Sequence, residues 1–211
     1  SDVCSSDLCQ LFGIPFAVAE EQLHDAVAAT AAANDLKRGF ARLALIPVAG
    51  GPPTVMIAVA ESPEQGTAKL IVSAGTRRDE QSALSMIPTL GGMDQNRPAL
   101  SEASAAGAND AVLLNNQGRV AETASANIFV LEGGGLLTPP LEEGAMAGII
   151  RAEVIRLTRA EEKPLTLERL LRASEVFTTS TLGIRPVIAI NGAPVGDGEP
   201  GLITQMLAVR L

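Results

Sequence analysis

At 211 residues, with 24 acidic against 16 basic side chains and a net charge of −8, the chain is long enough to bury a core in one domain or two small ones. The acidic balance argues against a nucleic-acid partner, whose phosphates need clustered Lys and Arg, and no apolar run reaches the roughly 18 residues of a membrane span. Five Phe and no Trp or Tyr leave the core to aliphatic residues and Ala, while Cys4 and Cys9 make no disulfide framework and fit free thiols in a reducing cytoplasm.

Ser1–Leu8 has no Met start and neither helical nor strand periodicity, so it reads as a non-native scar joined to a shortened N-terminus. Glu20–Asn34 sets Leu23, Val27, Ala28 and Ala31 at helical spacing, with His24 on the opposite, solvent-facing side. Gly39–Val48, which contains Arg42, and Thr54–Ala60 are expected strands. The polar stretch Glu61–Thr67, with its Pro and Gly, is the linker, and Ala68–Ser73 opens a second domain as a strand. A helix follows over Glu102–Ala106, with Arg97–Pro98 near its start.

Three hairpins are then expected. Ala111–Asn115 returns as Gly118–Ala121 around Asn116–Gln117. Ile128–Leu131 returns as Leu136–Leu137 around Gly133–Gly135. Pro186–Ile190 returns as Ala193–Val195 on Asn191–Gly192, the strongest short-range hairpin signal in the chain. Ile149–Leu157, Leu165–Ala173 and Gly201–Leu211 read as helices, and Val176–Thr179 as a strand. Strands returning by hairpins with helices interspersed predict an α/β or α+β protein. Its expected parts are a small N-terminal α/β domain over 9–62, a linker at 63–67 and a larger mixed-sheet domain over 68–211.

The stretch Val120–Arg151 organises the second domain. A carboxylate, Glu122, follows a hairpin, and Gly144–Gly148 leads into a helix, where bare backbone N–H groups and the helix dipole favour an anion. Its order of Glu122, then Asn127–Ile128–Phe129, then Thr138–Pro139–Pro140, then Gly148–Ile149 and Arg151 closely resembles the signature of the class IV, or fold type IV, pyridoxal-phosphate enzymes. These comprise the branched-chain and D-amino-acid aminotransferases and 4-amino-4-deoxychorismate lyase.

The resemblance implies pyridoxal 5′-phosphate as cofactor, an amino acid and a 2-oxo acid as small-molecule partners, branched-chain substrates as the favoured type, and a homodimer. No metal site is expected. The resemblance assigns Glu122 to the pyridine nitrogen, the backbone N–H groups of Ile149 and Ile150 and the hydroxyl of Thr181 to the phosphate, and Arg42 to the substrate pocket. Read from the residues alone, Glu122 is a strand-end charge, Thr181 a loop hydroxyl and Arg42 an edge-strand surface charge.

Three departures bear on activity. Thr76–Arg78 resembles the family's connection into its lysine segment, which reads approximately S-P-L-S-x-I-K-T-L-N, whereas Ser82–Gly91 is S-A-L-S-M-I-P-T-L-G. Pro88 thus stands at the lysine position, and it has no amine to link to the cofactor. Lys37, Lys69 and Lys163 are the chain's lysines, and none sits in a matching motif. The family's front phosphate-binding arginine has no counterpart, and Arg159–Pro164 is shorter than the family's passage. General acid–base work is worth about 10²–10⁴-fold in rate, so transamination is expected to be impaired. Two alternatives stay open: a non-catalytic homologue that keeps the pocket, and aminodeoxychorismate lyase, whose turn Leu182–Pro186 (L-G-I-R-P) also resembles.

Overall fold

The computed structural model describes residues 13, 14, 18–64, 66–82, 85, 87, 89 and 94–211, and the chain forms two units, Ser1–Glu64 and Gln65–Leu211. Ser1–Leu8 and Pro88 lie outside the described residues.

The first unit holds helix α1 (Glu20–Ala33) and the antiparallel pair β1 (Phe40–Ile46) and β2 (Thr54–Ala60), in register from Phe40↔Ala60 to Ile46↔Thr54. Glu20 and Glu21 sit in the first turn of α1, at the positive end of its dipole. His24 is exposed on that helix, as its sequence position predicts. Gly39 has to be glycine, because a Cβ there would come within 2.2 Å of the Ala60 carbonyl.

The second unit contains, in order, β3 (Ala68–Arg78), α2 (Arg97–Ala105), β4 (Asp110–Asn115), β5 (Arg119–Thr123), β6 (Asn127–Glu132), β7 (Gly135–Thr138), a 3-10 turn at Leu141–Glu143 and α3 (Ile149–Thr158). There follow β8 (Glu161–Glu162), β9 (Leu165–Thr166), α4 (Leu167–Arg172), β10 (Glu175–Ser180), β11 (Gly183–Ile190), β12 (Ala193–Pro194) and α5 (Leu202–Ala208). The sheet order is β8-β7-β6-β10-β11-β3-β4-β5-β9, with β12 beside β11. β11–β3, β3–β4 and β7–β8 are parallel, and the other pairs are antiparallel.

That order curls back on itself. β8 and β9 stand at opposite ends of it, yet Lys163 and Pro164 alone separate them in sequence. Three Cα–Cα steps span at most about 11 Å, so the sheet curls into an open barrel whose end strands lie that near without pairing. The barrel interior is built by strand alternation. Leu70, Val112, Leu114, Val120, Ile128, Val130, Leu137, Val176, Val187 and Ile190 point into one buried cluster. Their neighbours point outward: Ala111 and Leu113 pack under α2, while Phe129, Phe177 and Ile184 pack under α3 and α5 against Val154 and Leu207. The Phe129 and Phe177 rings stack at 5.1 Å with planes 6° apart.

The hairpin signals resolve as their turn chemistry dictates. Gly133 and Gly134, both at positive φ, turn β6 into β7, and Asn191 (φ 51°) and Gly192 (φ 79°) turn β11 into β12, the pattern of a two-residue type I′ turn. Two boundaries differ from the sequence reading. Thr76–Arg78, expected as a connection, continues β3, because Arg77 and Arg78 resume pairing with Leu114 and Asn115 after an irregularity in the ladder. Leu165 and Thr166, expected in a helix, instead pair with Val120 and Arg119 on β5. The helix starts only at Leu167, with the Thr166 hydroxyl accepting from Arg169 N; pairing with β5 outweighs the local helical pattern.

Candidate functional site

Glu122 lies near the end of β5 and is 4% exposed. Its carboxylate meets three donors from three different segments. The Arg78 guanidinium, on β3, lies 3.0 Å from Oε1. Oε2 accepts from Asn127 Nδ2 at 3.1 Å and from Met146 N at 2.9 Å. A carboxylate offers about four lone-pair sites, and two hydrogen bonds and one ion pair do not fill them, so Glu122 keeps acceptor capacity for a further N–H. Burial pushes its carboxyl up to about 7, against the opposing pull of Arg78 and the Met146 N–H.

Arg78 is itself 3% exposed and anchored on both flanks. Its Nε donates to the Gly144 carbonyl at 3.0 Å and its Nη2 to the Ser85 carbonyl. Through Arg78, the segment that carries Ser85 is tied to the acid. In the sequence Arg78 falls in a connection and has no evident role; a buried ion pair between residues 78 and 122 leaves no periodic trace.

Gly148 caps α3 from an extended conformation (φ −72°, ψ 139°) with no side-chain cap, and Ile149 and Ile150 are the first two helical residues. The first N–H groups of a helix have no partner within it, and here they begin directly beside the acid. Asn127 Nδ2 donates to the Met146 carbonyl at 2.9 Å as well as to Glu122. A Cβ on Gly148 would lie 2.2 Å from Asn127 Oδ1, so the side chain of Asn127 lies flush on the helix cap. Ile149 is 44% exposed, and Ile150 packs inward on the Phe129–Phe177 cluster.

Thr181 is exposed in the turn between β10 and β11. Two residues before it, Thr179 pairs with Asn127 across β10 and β6, so this turn lies at the sheet end where Asn127 meets Gly148. Thr179 Oγ1 is buried there with no hydrogen-bond partner. Arg42 is exposed on β1 in the first unit. Of the residues singled out from the sequence, the structure therefore gathers Glu122 and the Gly148–Ile150 helix start, with the Thr181 turn at the same sheet end.

The donor set fits a cofactor that carries a basic ring and a phosphate. A buried acid with a spare acceptor suits a ring N–H, and a glycine-capped helix start suits an anion. Among the described residues, no group of three or more His, Cys, Asp and Glu is placed to hold a metal ion, and no helix is long and apolar enough to cross a membrane.

Comparison with known proteins gives the family. The profile described as amino-transferase class IV matches residues 6–190. D-alanine aminotransferase of Bacillus licheniformis is 37% identical over 82 residues, which are 36% of this chain and 29% of that protein. The branched-chain-amino-acid aminotransferase of Escherichia coli K12 is 36% identical over 78 residues, 34% of this chain and 25% of that protein. These matches thus span under a third of the curated relatives. The crystal structure of Escherichia coli branched-chain amino acid aminotransferase superposes with a TM-score of 0.86 at 26% identity, covering 95% of this chain and 72% of that one. The T.th. branched-chain amino acid aminotransferase with pyridoxamine 5′-phosphate gives 0.85 at 26% identity, covering 97% and 73%. A chain provisionally assigned as 4-amino-4-deoxychorismate lyase, from Legionella pneumophila, gives 0.86 at 25% identity, covering 97% and 80%. With a profile match across most of its length and the curled mixed sheet of the fold-type-IV enzymes, the chain belongs to the class IV aminotransferase family.

Proposed function

We propose that this chain is a class IV aminotransferase homologue that holds pyridoxal 5′-phosphate noncovalently, and that amino-group transfer between a branched-chain-type amino acid and a 2-oxo acid is impaired in it because Pro88 stands where the family has lysine. The carrying observation is the closed set of hydrogen bonds among Glu122, Asn127 and Met146 beside the Gly148 cap. It puts a buried acid next to a helix start, as a ligand with a basic ring at one end and a phosphate at the other requires.

When bound, the cofactor supplies a protonated ring that withdraws electrons from the substrate's Cα–H bond. Glu122 would accept the ring N–H as a carboxylate and so keep that proton on the ring, and beside a cationic ring its carboxyl would stay ionised. The N–H groups of Ile149 and Ile150 and the Thr181 hydroxyl bind the phosphate. The isoleucine at 150 offers its amide without the hydroxyl that a threonine would add. Arg42 is assigned to the substrate pocket, and the working form is a cytoplasmic homodimer. Pro88 offers no amine for a covalent link and no proton to move, which removes about 10²–10⁴-fold of acid–base catalysis and the covalent route as well. A lyase reading shares this site, and the Leu182–Pro186 turn together with the likeness to the Legionella chain supports it; release of pyruvate from aminodeoxychorismate, without an oxo-acid acceptor, would decide for it.

The test is reduction. The protein is titrated with pyridoxal 5′-phosphate, treated with borohydride and dialysed, and its peptides are weighed. The expected result is saturable binding with no adduct on Lys37, Lys69 or Lys163, and an adduct at position 88 in Pro88→Lys. A stoichiometric adduct on a native lysine, or no binding at all, overturns the proposal.

A further inference from the structure

We infer that Asn127 is a positioning residue that fixes the spacing between the acid for the cofactor ring and the anion site at the start of α3. The inference rests on the reading that the Glu122 pocket takes a ring-and-phosphate ligand, and it assigns a task to a side chain whose amide hydrogens both go to the protein.

Glu122 and Gly148 come from different elements, β5 and the loop into α3, with 25 residues between them. One side chain joins them. Asn127, the first residue of β6, is 5% exposed and spends both amide hydrogens: one on Glu122 Oε2 (3.1 Å) and one on the Met146 carbonyl (2.9 Å). Met146 N donates to the same Glu122 oxygen at 2.9 Å. The three groups therefore close a ring in which neither the acid nor the loop can shift without breaking a buried hydrogen bond. These contacts also fix the amide orientation, since a flipped Asn127 would set its oxygen against the Met146 carbonyl and the Glu122 carboxylate. Oδ1 is thereby turned to Gly148, where a Cβ would lie at 2.2 Å, so glycine at the cap and asparagine at 127 are mutually required. Aspartate has the shape but would face Glu122 with a second negative charge. Alanine would leave Glu122 and the Met146 carbonyl each short of a donor.

A ligand bound at two rigidly spaced points gains affinity beyond the sum of its halves, and loosening the spacing removes that gain without removing either contact. The measurement uses three probes on the full chain: pyridoxamine 5′-phosphate, pyridoxamine as the ring alone, and inorganic phosphate as the anion alone. In Asn127→Ala the intact probe is expected to lose about tenfold or more in affinity, while each half-probe changes by about twofold or less. A merely structural role would weaken all three together.

Gly148→Ala displaces the same side chain from the other direction and should reproduce the effect. In the Asn127→Ala background the same Gly148→Ala change should cost almost nothing more, because the oxygen it strikes is gone. Should Asn127→Ala not fold, Gly148→Ala alone is read against the three probes. Equal loss for whole and halves, or additive effects in the double variant, overturns the positioning role and leaves the proposed function standing. Failure of the unaltered protein to bind pyridoxamine 5′-phosphate overturns both.

Discussion

Replacing Glu122 by glutamine should flatten the pH dependence of stability. In the folded protein, burial pushes the Glu122 carboxyl up to about 7, from an ordinary value of 4.5. Below pH 4.5 the carboxyl is protonated in both folded and unfolded chains. Between 4.5 and 7 the folded chain keeps a proton that the unfolded chain has released, so unfolding gives up a proton and stability falls as pH rises through this window. Above 7 the carboxyl is ionised in both states and the loss is complete. At about 1.4 kcal/mol per pKa unit, the loss from this one group is about 3 kcal/mol. A glutamine side chain does not titrate, but it brings its own pH-independent cost. The carboxylate lies against the Arg78 guanidinium and accepts from Asn127 and Met146, and an amide NH₂ must face at least one of these three donor groups, for about 1–3 kcal/mol. The level of stability therefore drops while the slope disappears, and the slope is the quantity to read. Urea unfolding at intervals from pH 4.5 to 8, for the unaltered chain and for Glu122→Gln without cofactor, provides it. Parallel profiles for the two proteins would refute the argument, because the group's charge would then be settled outside this window.

The outer core and the Asn191 turn give two further expectations. Phe177→Ala, at a fully buried ring stacked on Phe129, should lower unfolding stability by about 3–5 kcal/mol, seen as a shift in the denaturation midpoint; a shift under about 1 kcal/mol would mean that α3 and α5 do not hold that cluster closed. Asn191→Ala loses the hydrogen bond from Val72 N to Oδ1, at 2.8 Å, and puts alanine at φ 51°, together about 2 kcal/mol, whereas Asn191→Gly keeps the backbone at ease and should cost about half of that by the same measurement.

The sequence by itself determined this protein's local elements and its ancestry. Asn191–Gly192 and Gly133–Gly134 declare their turns because positive φ needs residues that tolerate it, and the ordered run from Glu122 to Arg151 identifies the family from its letters. The impairment proposed for Pro88 rests on the letters alone. Tertiary structure decided the rest, because it depends on residues distant in the chain. Leu165 and Thr166 look helical by spacing yet pair as a strand, since β5 offers Val120 and Arg119 as distant partners. Arg78 reads as part of a connection, and only β3 carries it to the side of Glu122. Asn127 is one letter of a motif, and only the fold shows its amide holding an acid from one strand against the loop before a helix. Periodicity reports which face of an element is buried; it does not report which buried polar groups share a hydrogen bond, because those partners come from distant segments.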